Sequence, residues 1–258
     1  EFLQAATACQ TTNDFTGHNA HDAWGYGYQI WKTEQNGFAF NGMGCQFAIC
    51  LPEKDFIFVC TGDNQINREQ AGATIFGAVF DILVPALSGQ STQAESFDLD
   101  QPLSLRVAHG AAASPFAAAV QGKTYLCEEN PMGITRFSLE FGEDGAACFH
   151  YWNAQGEQRL EFGMQRNLYG KFPQRGYSDE YGNVHELTDF RYDCAASAGW
   201  IEPQKLQLQV QIIDRYFGGL TITFGFVDET LVGVRMVKAA EDFLDEYEGW
   251  MTGHLSGD

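Results

Sequence analysis

Nine serines are spread through the chain, and none has a lysine three positions later. Serine nucleophiles need a base within hydrogen-bond reach, and Ser-x-x-Lys is one local way to supply it. His18-x-x-His21 sets two imidazoles at a spacing from which a metal site could begin. Only Asp22 stands beside them, and no further ligand follows at a recognised spacing, so a solvated loop is the plainer reading. Gly25-x-Gly27 and Gly42-x-Gly44 lack the strand–turn–helix setting of a phosphate loop. Glu128-Glu129 and Asp179-Glu180 offer carboxylates for acid–base work, although surface turns are their commoner home. The tail His254-Leu255-Ser256-Gly257-Asp258 holds all three triad residue types, but neighbours in a tail cannot hold triad geometry. No catalytic set, metal or cofactor is expected from these residues.

The elements that would carry any chemistry fall into two halves. Asn36-Gly37 is a hairpin signal between the strand candidates Trp24–Lys32 and Phe38–Phe40. Cys45–Leu51 and Phe56–Thr61 follow, apolar on both faces, which predicts a sheet covered on both sides. A helix is expected from Asn67, with Gln70 at capping-box spacing and Ile75, Phe76, Val79, Phe80 and Leu83 on one face. Pro85 should end or kink it near Val84. Residues 88–102 are small and polar, like a linker.

Beyond residue 103 the pattern is almost entirely β. Lys205–Ile212, Leu220–Phe224 and Leu231–Val237 alternate with period two, one face buried and one wet. Recurrent turn signals divide about eight such strands, as in an antiparallel barrel or sandwich. Phe224, Phe226 and Val234 are inward candidates. Ala240–Trp250 reads as an acidic terminal helix with Phe243, Leu244 and Tyr247 on its apolar side. The aromatic run around Tyr169, Phe172, Arg175 and Tyr177 could form a loop at a barrel mouth or over a cleft, common places for ligands, or simply a packed loop.

Composition narrows the partners. With 15 basic against 34 acidic residues, net charge −19, nucleic acid and anionic membrane surfaces are disfavoured. No apolar run is long enough to span a bilayer. Seven cysteines without a pairing pattern, several inside apolar strands, read as buried thiols and favour a reducing compartment, the cytoplasm.

Taken in order, Gly25-Tyr26-Gly27-Tyr28-Gln29-Ile30-Trp31, Asn41-Gly42-Met43-Gly44, Leu51-Pro52-Glu53-Lys54-Asp55 and Thr61-Gly62-Asp63-Asn64 before a long helix resemble the C-terminal end of class C β-lactamase-related serine hydrolases. The resemblance covers about a quarter of the chain. It implies that Phe40, Asn41 and Gly42 stand where the family carries Lys/His-Ser/Thr-Gly, on a strand bordering the substrate cleft. Phe40 replaces the cationic or imidazole residue there, so an esterase, peptidase or amidase fits better than a β-lactamase. Tyr151-x-Asn153 and Tyr181-x-Asn183 match the family's Tyr-x-Asn only by chance, lying beyond the linker. The chain begins at Glu1, and the resemblance implies a partner in an upstream part of the hydrolase domain bearing the nucleophile, with a small-molecule or peptide substrate. Gly122-Lys123-Thr124-Tyr125, Glu129-Asn130-Pro131-Met132-Gly133-Ile134, Val210–Asp214 and Ala240–Leu244 resemble the lipocalin-like β domain appended to some bacterial homologues.

The expected architecture is therefore an α+β fragment, antiparallel strands plus a closing helix, over residues 1–90. A lead-in over 91–117 and an all-β lipocalin-like antiparallel barrel over 118–258 follow. Alone, this chain is expected to be inactive as a hydrolase; the alternative function is a small-ligand binding or interaction module.

Overall fold

Four antiparallel strands organise the first part of the chain: β1 (Trp31–Lys32), β2 (Phe38–Gly42), β3 (Gln46–Leu51) and β4 (Phe56–Cys60), in that spatial order. The computed structural model describes residues 1–13, 24–42, 44–62, 64, 68–87, 104–175, 191–213, 217–239 and 247–257. It divides into two compact units, Glu1–Gln101 and Pro102–Asp258.

The first hairpin turns at Glu34–Gly37, where Gln35 and Asn36 take φ values of 55° and 56°. Two successive positive φ angles match the twist of the flanking strands. The turn therefore centres one residue earlier than the Asn-Gly signal implies. The strand expected over Trp24–Lys32 shrinks to β1, because Gln29 adopts φ 58° and only Tyr26 bridges before it.

A helix, α1 (Phe2–Thr7), opens this unit. Helix α2 (Arg68–Gly77) packs on one sheet face and runs through a π-helical stretch (Ala78–Leu83) into a last turn, α3 (Val84–Ala86). The wide turn just precedes Pro85, whose missing N–H and bulky ring oppose regular α-helical bonding there. Phe76, Val79, Phe80 and Val84 bury against Ala39, Phe47, Ile49 and Leu51, with the Phe47 and Phe76 rings edge to face at 5.0 Å. The capping-box residue Asn67 and the linker lie outside the described residues.

Among the described residues only that face is covered. Register places Phe40, Ala48 and Val59 in one row and Phe38, Cys50 and Ile57 in the next. Ile57, Val59 and Phe40 remain 68%, 65% and 48% exposed. The expectation of a sheet covered on both sides is thus met on one side, since α2 and its extension supply a single layer.

The second unit is a barrel. Its strands are β5 (Thr124–Cys127), β6 (Arg136–Phe141), β7 (Ala146–Asn153), β8 (Gly156–Met164), β9 (Leu168–Arg175), β10 (Arg191–Glu202), β11 (Lys205–Ile213), β12 (Phe217–Phe226), β13 (Leu231–Ala239) and β14 (Gly249–Leu255). Nine of them close a ring in the order β11-β12-β13-β14-β5-β6-β7-β8-β10, with β10 returning to β11 and β9 paired on β10. Closure removes the free edges of an open sheet except along β8, whose Gly156–Phe162 stretch pairs with β7 alone.

Alternation along each strand sends one set of side chains inward. Leu206, Leu208, Val210 and Ile212 of β11 are all buried, as are Phe224, Phe226 and Val234. Aromatic rings fill the interior as a column. Phe137, Phe149 and Phe224 meet pairwise at 5.2–5.7 Å, Tyr125 stacks on Phe137 at 5.3 Å, and Phe226 leans on Phe116, Tyr125 and Trp200. Each such ring contributes about 1.5–3 kcal/mol of burial.

Residues from Ser104 onward belong to this unit. The amides and carbonyls of Ala111 and Trp200 exchange two bonds of 2.9 Å, and Ser197 Oγ accepts from Ala108 N–H. The lead-in thereby covers the outer face of β10, which is why β10 is small and apolar on both faces. A short helix, α4 (Ala117–Val120), leads into β5.

The acidic terminal helix expected over Ala240–Trp250 is corrected at its end. Residues 240–246 lie outside the described residues, Tyr247 is in a single 3-10 turn, and Gly249–Leu255 is β14. Trp250, Thr252 and His254 alternate with inward Met251 and Gly253, and only a strand here can pair both β13 and β5.

Burial governs the ionisable groups of the barrel wall. Desolvation raises the Cys127 thiol from 9.0 to about 12 and Cys194 to about 11. Tyr125 rises to about 12, through desolvation first and then the nearby Glu229 and Asp228 carboxylates. In each case the folded state holds its proton more tightly than the unfolded chain. Their contribution is whole below pH 9 and is lost as pH climbs through about 12. We expect the barrel's urea midpoint to fall steadily above pH 9; a flat profile to pH 11 would contradict this assignment.

Candidate functional site at the β8–β9 seam

Strands β8 and β9 are joined by only three residues, Gln165–Asn167, a length that ordinarily makes a hairpin. They form no ladder with each other. Instead β9 pairs antiparallel with β10 from Leu168 to Arg175, and β8 touches β10 only in parallel at Gly163 and Met164. The turn is held elsewhere: Met164 N–H donates to Gly145 O, and Gln165 N–H donates to Ala198 O, both at 2.8 Å. The Gln165 amide also reaches Ala108 O at 2.7 Å. These bonds splay the two strands, leaving a seam in the barrel wall along Gly156–Phe162.

Three elements line the seam from inside. On β8 the residues sharing inward parity are Gln158, Leu160 and Phe162. On β9 the inward residue is Phe172, fully buried. From the approach to β14 comes Tyr247, whose ring meets Phe172 at 5.2 Å and stands perpendicular to Tyr151 at 6.4 Å. The Tyr151 and Tyr247 hydroxyls share a 2.7 Å hydrogen bond. Tyr247 thus connects β7 to β9 across the inner mouth of the seam.

Gln158 stands directly opposite Tyr151 in the β7–β8 ladder and is only 6% exposed. Its Oε1 is buried without a hydrogen-bond partner. The other such atom is Asn167 Oδ1, but the Asn167 amide nitrogen engages Leu105 and Arg106 carbonyls. An unmet buried acceptor costs about 1–3 kcal/mol. Among the described residues the buried polar side chains are Asn13, Thr33, Ser138, Gln158 and Ser197, so no charged side chain is buried.

Two tests follow directly. Gln158→Leu should raise barrel stability by about 1–2 kcal/mol in urea denaturation, because it removes the orphaned acceptor while keeping apolar volume. A loss of stability would mean that the amide is satisfied in solution. In native hydrogen exchange, alternate amides of Gly156–Phe162 that face the seam should exchange faster than those of β11 and β12. Uniform protection along β8 would show β8 and β9 paired.

Other residues of interest fall elsewhere. Tyr169 is on β9 but points outward, 66% exposed; Arg175 ends β9; Tyr177 lies outside the described residues. The aromatic run is therefore strand β9 up to Arg175 rather than a loop, and Phe172 is its contribution to the interior. Phe40, Asn41 and Gly42 lie on β2 in the other unit, between β1 and β3. His18, His21, Asp179 and Glu180 lie outside the described residues. Glu128 bonds His254 at 2.9 Å on the barrel surface. No group of three or more His, Cys, Asp or Glu residues is placed to hold a metal among the described residues. No described helix is long and apolar enough to cross a membrane.

Gln158, Tyr151 and Tyr247 were not singled out from the sequence. A signal existed for Gln158: it occupies an inward position in Gln158-Arg159-Leu160-Glu161-Phe162, a polar residue with apolar parity.

No protein-family model matches the chain, and no curated protein matches it. Among solved structures, the chain is similar to the fatty-acid-binding protein isolated from Manduca sexta, with 8% identity and a TM-score of 0.33, over 54% of this chain and 99% of that one.

Proposed function

We propose that the barrel is a small-ligand-binding module and that its ligand is held at the β8–β9 seam. The observation that carries this reading is the splayed hairpin, which leaves the Gly156–Phe162 edge of β8 without ladder bonds to β9, beside inward-facing Gln158 and the Tyr151–Tyr247 pair. Ligand sites combine apolar walls with a few convergent polar groups, as Gln158 and the tyrosine pair are set among Leu160, Phe162 and Phe172 here. The aromatic column beyond the seam fills the interior, so the ligand is compact and a long acyl chain is excluded. Native mass spectrometry of the full chain should show a stoichiometric adduct with a compact aromatic molecule such as 1-naphthol and none with palmitate. Stoichiometric palmitate, or the bare mass with every compact aromatic, would overturn the reading.

A second reading concerns the other unit. The apolar face on which Phe40, Ile57 and Val59 are exposed and Phe38, Ala48 and Cys50 half-buried favours a sheet that is one layer of a larger domain, in keeping with the hydrolase resemblance. There Phe40, Asn41 and Gly42 would border the substrate cleft, and the nucleophile would lie upstream. A native gene product carrying Ser-x-x-Lys ahead of these residues supports it; one confined to these 258 residues counts against it.

A further inference from the structure

We infer that the seam selects a neutral, hydroxyl-bearing aromatic molecule, a phenol or aryl alcohol, which donates its hydrogen bond to Gln158 Oε1. This rests on the binding reading above and adds the chemistry of the ligand.

Three observations converge on that class. The first is the polarity of the unmet group. Gln158 Oε1 is an acceptor, 94% of the residue is buried given its 6% exposure, and no protein donor reaches it. A ligand donor placed there relieves a penalty already present in the free protein, so the hydrogen bond adds to affinity rather than merely replacing one. The second is charge. No described Lys, Arg, Asp or Glu is buried, so no described side chain offers a carboxylate or an ammonium a counter-charge inside. Lys171, the cation on β9, lies outside and pairs with Asp193 at 2.7 Å. The chain's net charge of −19 further opposes anions. The third is shape. Phe172 and Tyr247 meet at 67° and Tyr151 and Tyr247 at 90°, so the seam is walled by aromatic rings, which favours an aromatic partner.

The Tyr151–Tyr247 hydroxyl pair sharpens the assignment. Their 2.7 Å bond uses one of the two hydroxyl protons, and the Gln158 oxygen on the neighbouring strand accepts from neither tyrosine. Gln158 is a binding group here.

The test titrates the full chain with 1-naphthol and with 1-methoxynaphthalene, which keeps the ring and the oxygen acceptor but lacks the donor. The same pair is titrated into Gln158→Leu, which folds at least as well on the argument above, and into Gln158→Asn, which keeps a neutral amide acceptor on that strand. Affinity is read by calorimetry and location by backbone amide shifts. Wild type should bind 1-naphthol about tenfold more tightly than its ether, with shifts at Tyr151, Gln158 and Phe172. That ratio should fall to about one in Gln158→Leu and stay above one in Gln158→Asn. Equal or reversed affinities in wild type, with shifts still at the seam, would overturn the hydroxyl assignment and leave the binding reading standing. Failure of both molecules to perturb the seam would overturn both.

Discussion

Replacing Phe224 with alanine is expected to destabilise the barrel by about 3–5 kcal/mol, the usual range for removing a buried aromatic ring from a packed core. Phe224 is fully buried on β12 and faces two rings from the opposite wall, Phe137 at 5.7 Å and Phe149 at 5.2 Å. It is the cross-barrel contact of the aromatic column, and no neighbour is positioned to collapse into its place, since Leu206 and Val234 are fixed by ladders on either side. Urea unfolding of the full chain, followed through exchange of β11 amides, measures the loss. A loss below about 1 kcal/mol would mean that the barrel interior is open rather than filled, and the size limit argued for the ligand would fall with it.

Gly199→Val should be nearly as damaging, by about 3 kcal/mol, for the opposite reason: too much volume instead of too little. Gly199 lies in β10, where a Cβ would collide with the His109 carbonyl and the Gln165 amide nitrogen. The lead-in strand can approach β10 closely only because this position has no side chain. A valine there would lift residues 108–111 away from the barrel, breaking the paired Ala111–Trp200 bonds and the Gln165–Ala108 bond that helps splay the turn. Amide exchange at Ala111 and Trp200 should accelerate together with the loss of stability. Unchanged exchange at both amides would show that the lead-in is not held where the geometry puts it.

Much of the barrel is legible in the sequence because its strands obey a local rule. Leu206, Leu208, Val210 and Ile212 alternate with glutamines, and the alternation alone assigns the inward face of β11. β10 is harder to read, since Ala195, Ser197 and Gly199 look neither wet nor bulky; their small size answers a segment from nearly 90 residues earlier in the chain, as the Ala108–Ser197 bond records. β14 is obscured by the acidic run before it, whose helical periodicity extends to Trp250 when read without the neighbours β13 and β5. In the first unit, the apolar strands announce a two-sided burial that a single helical layer meets on one face only.

The site was legible only in part. Phe172 stands out by composition, and Tyr169 beside it misleads, because parity along β9 sends it to solvent. The seam itself is a property of two long-range bonds, Met164 to Gly145 and Gln165 to Ala198, that override the hairpin implied by a three-residue turn. Locally only the bend is prepared, by Gly163, where a Cβ would collide with the Arg166 carbonyl, and by Gln165 at φ 56°; the choice of partner strand is made at long range. Gln158 carries a local clue, its inward parity, but its missing partner is a fact of the folded interior.

The most direct measurement is the side-chain amide of Gln158 observed by NMR in the full chain, with and without 1-naphthol. A resonance shift accompanied by intermolecular contacts from the naphthol ring to Phe172 and Tyr151 is the expected result. Contacts confined to the outer wall, or an unmoved Gln158 amide with saturating ligand, would contradict a ligand site at the β8–β9 seam.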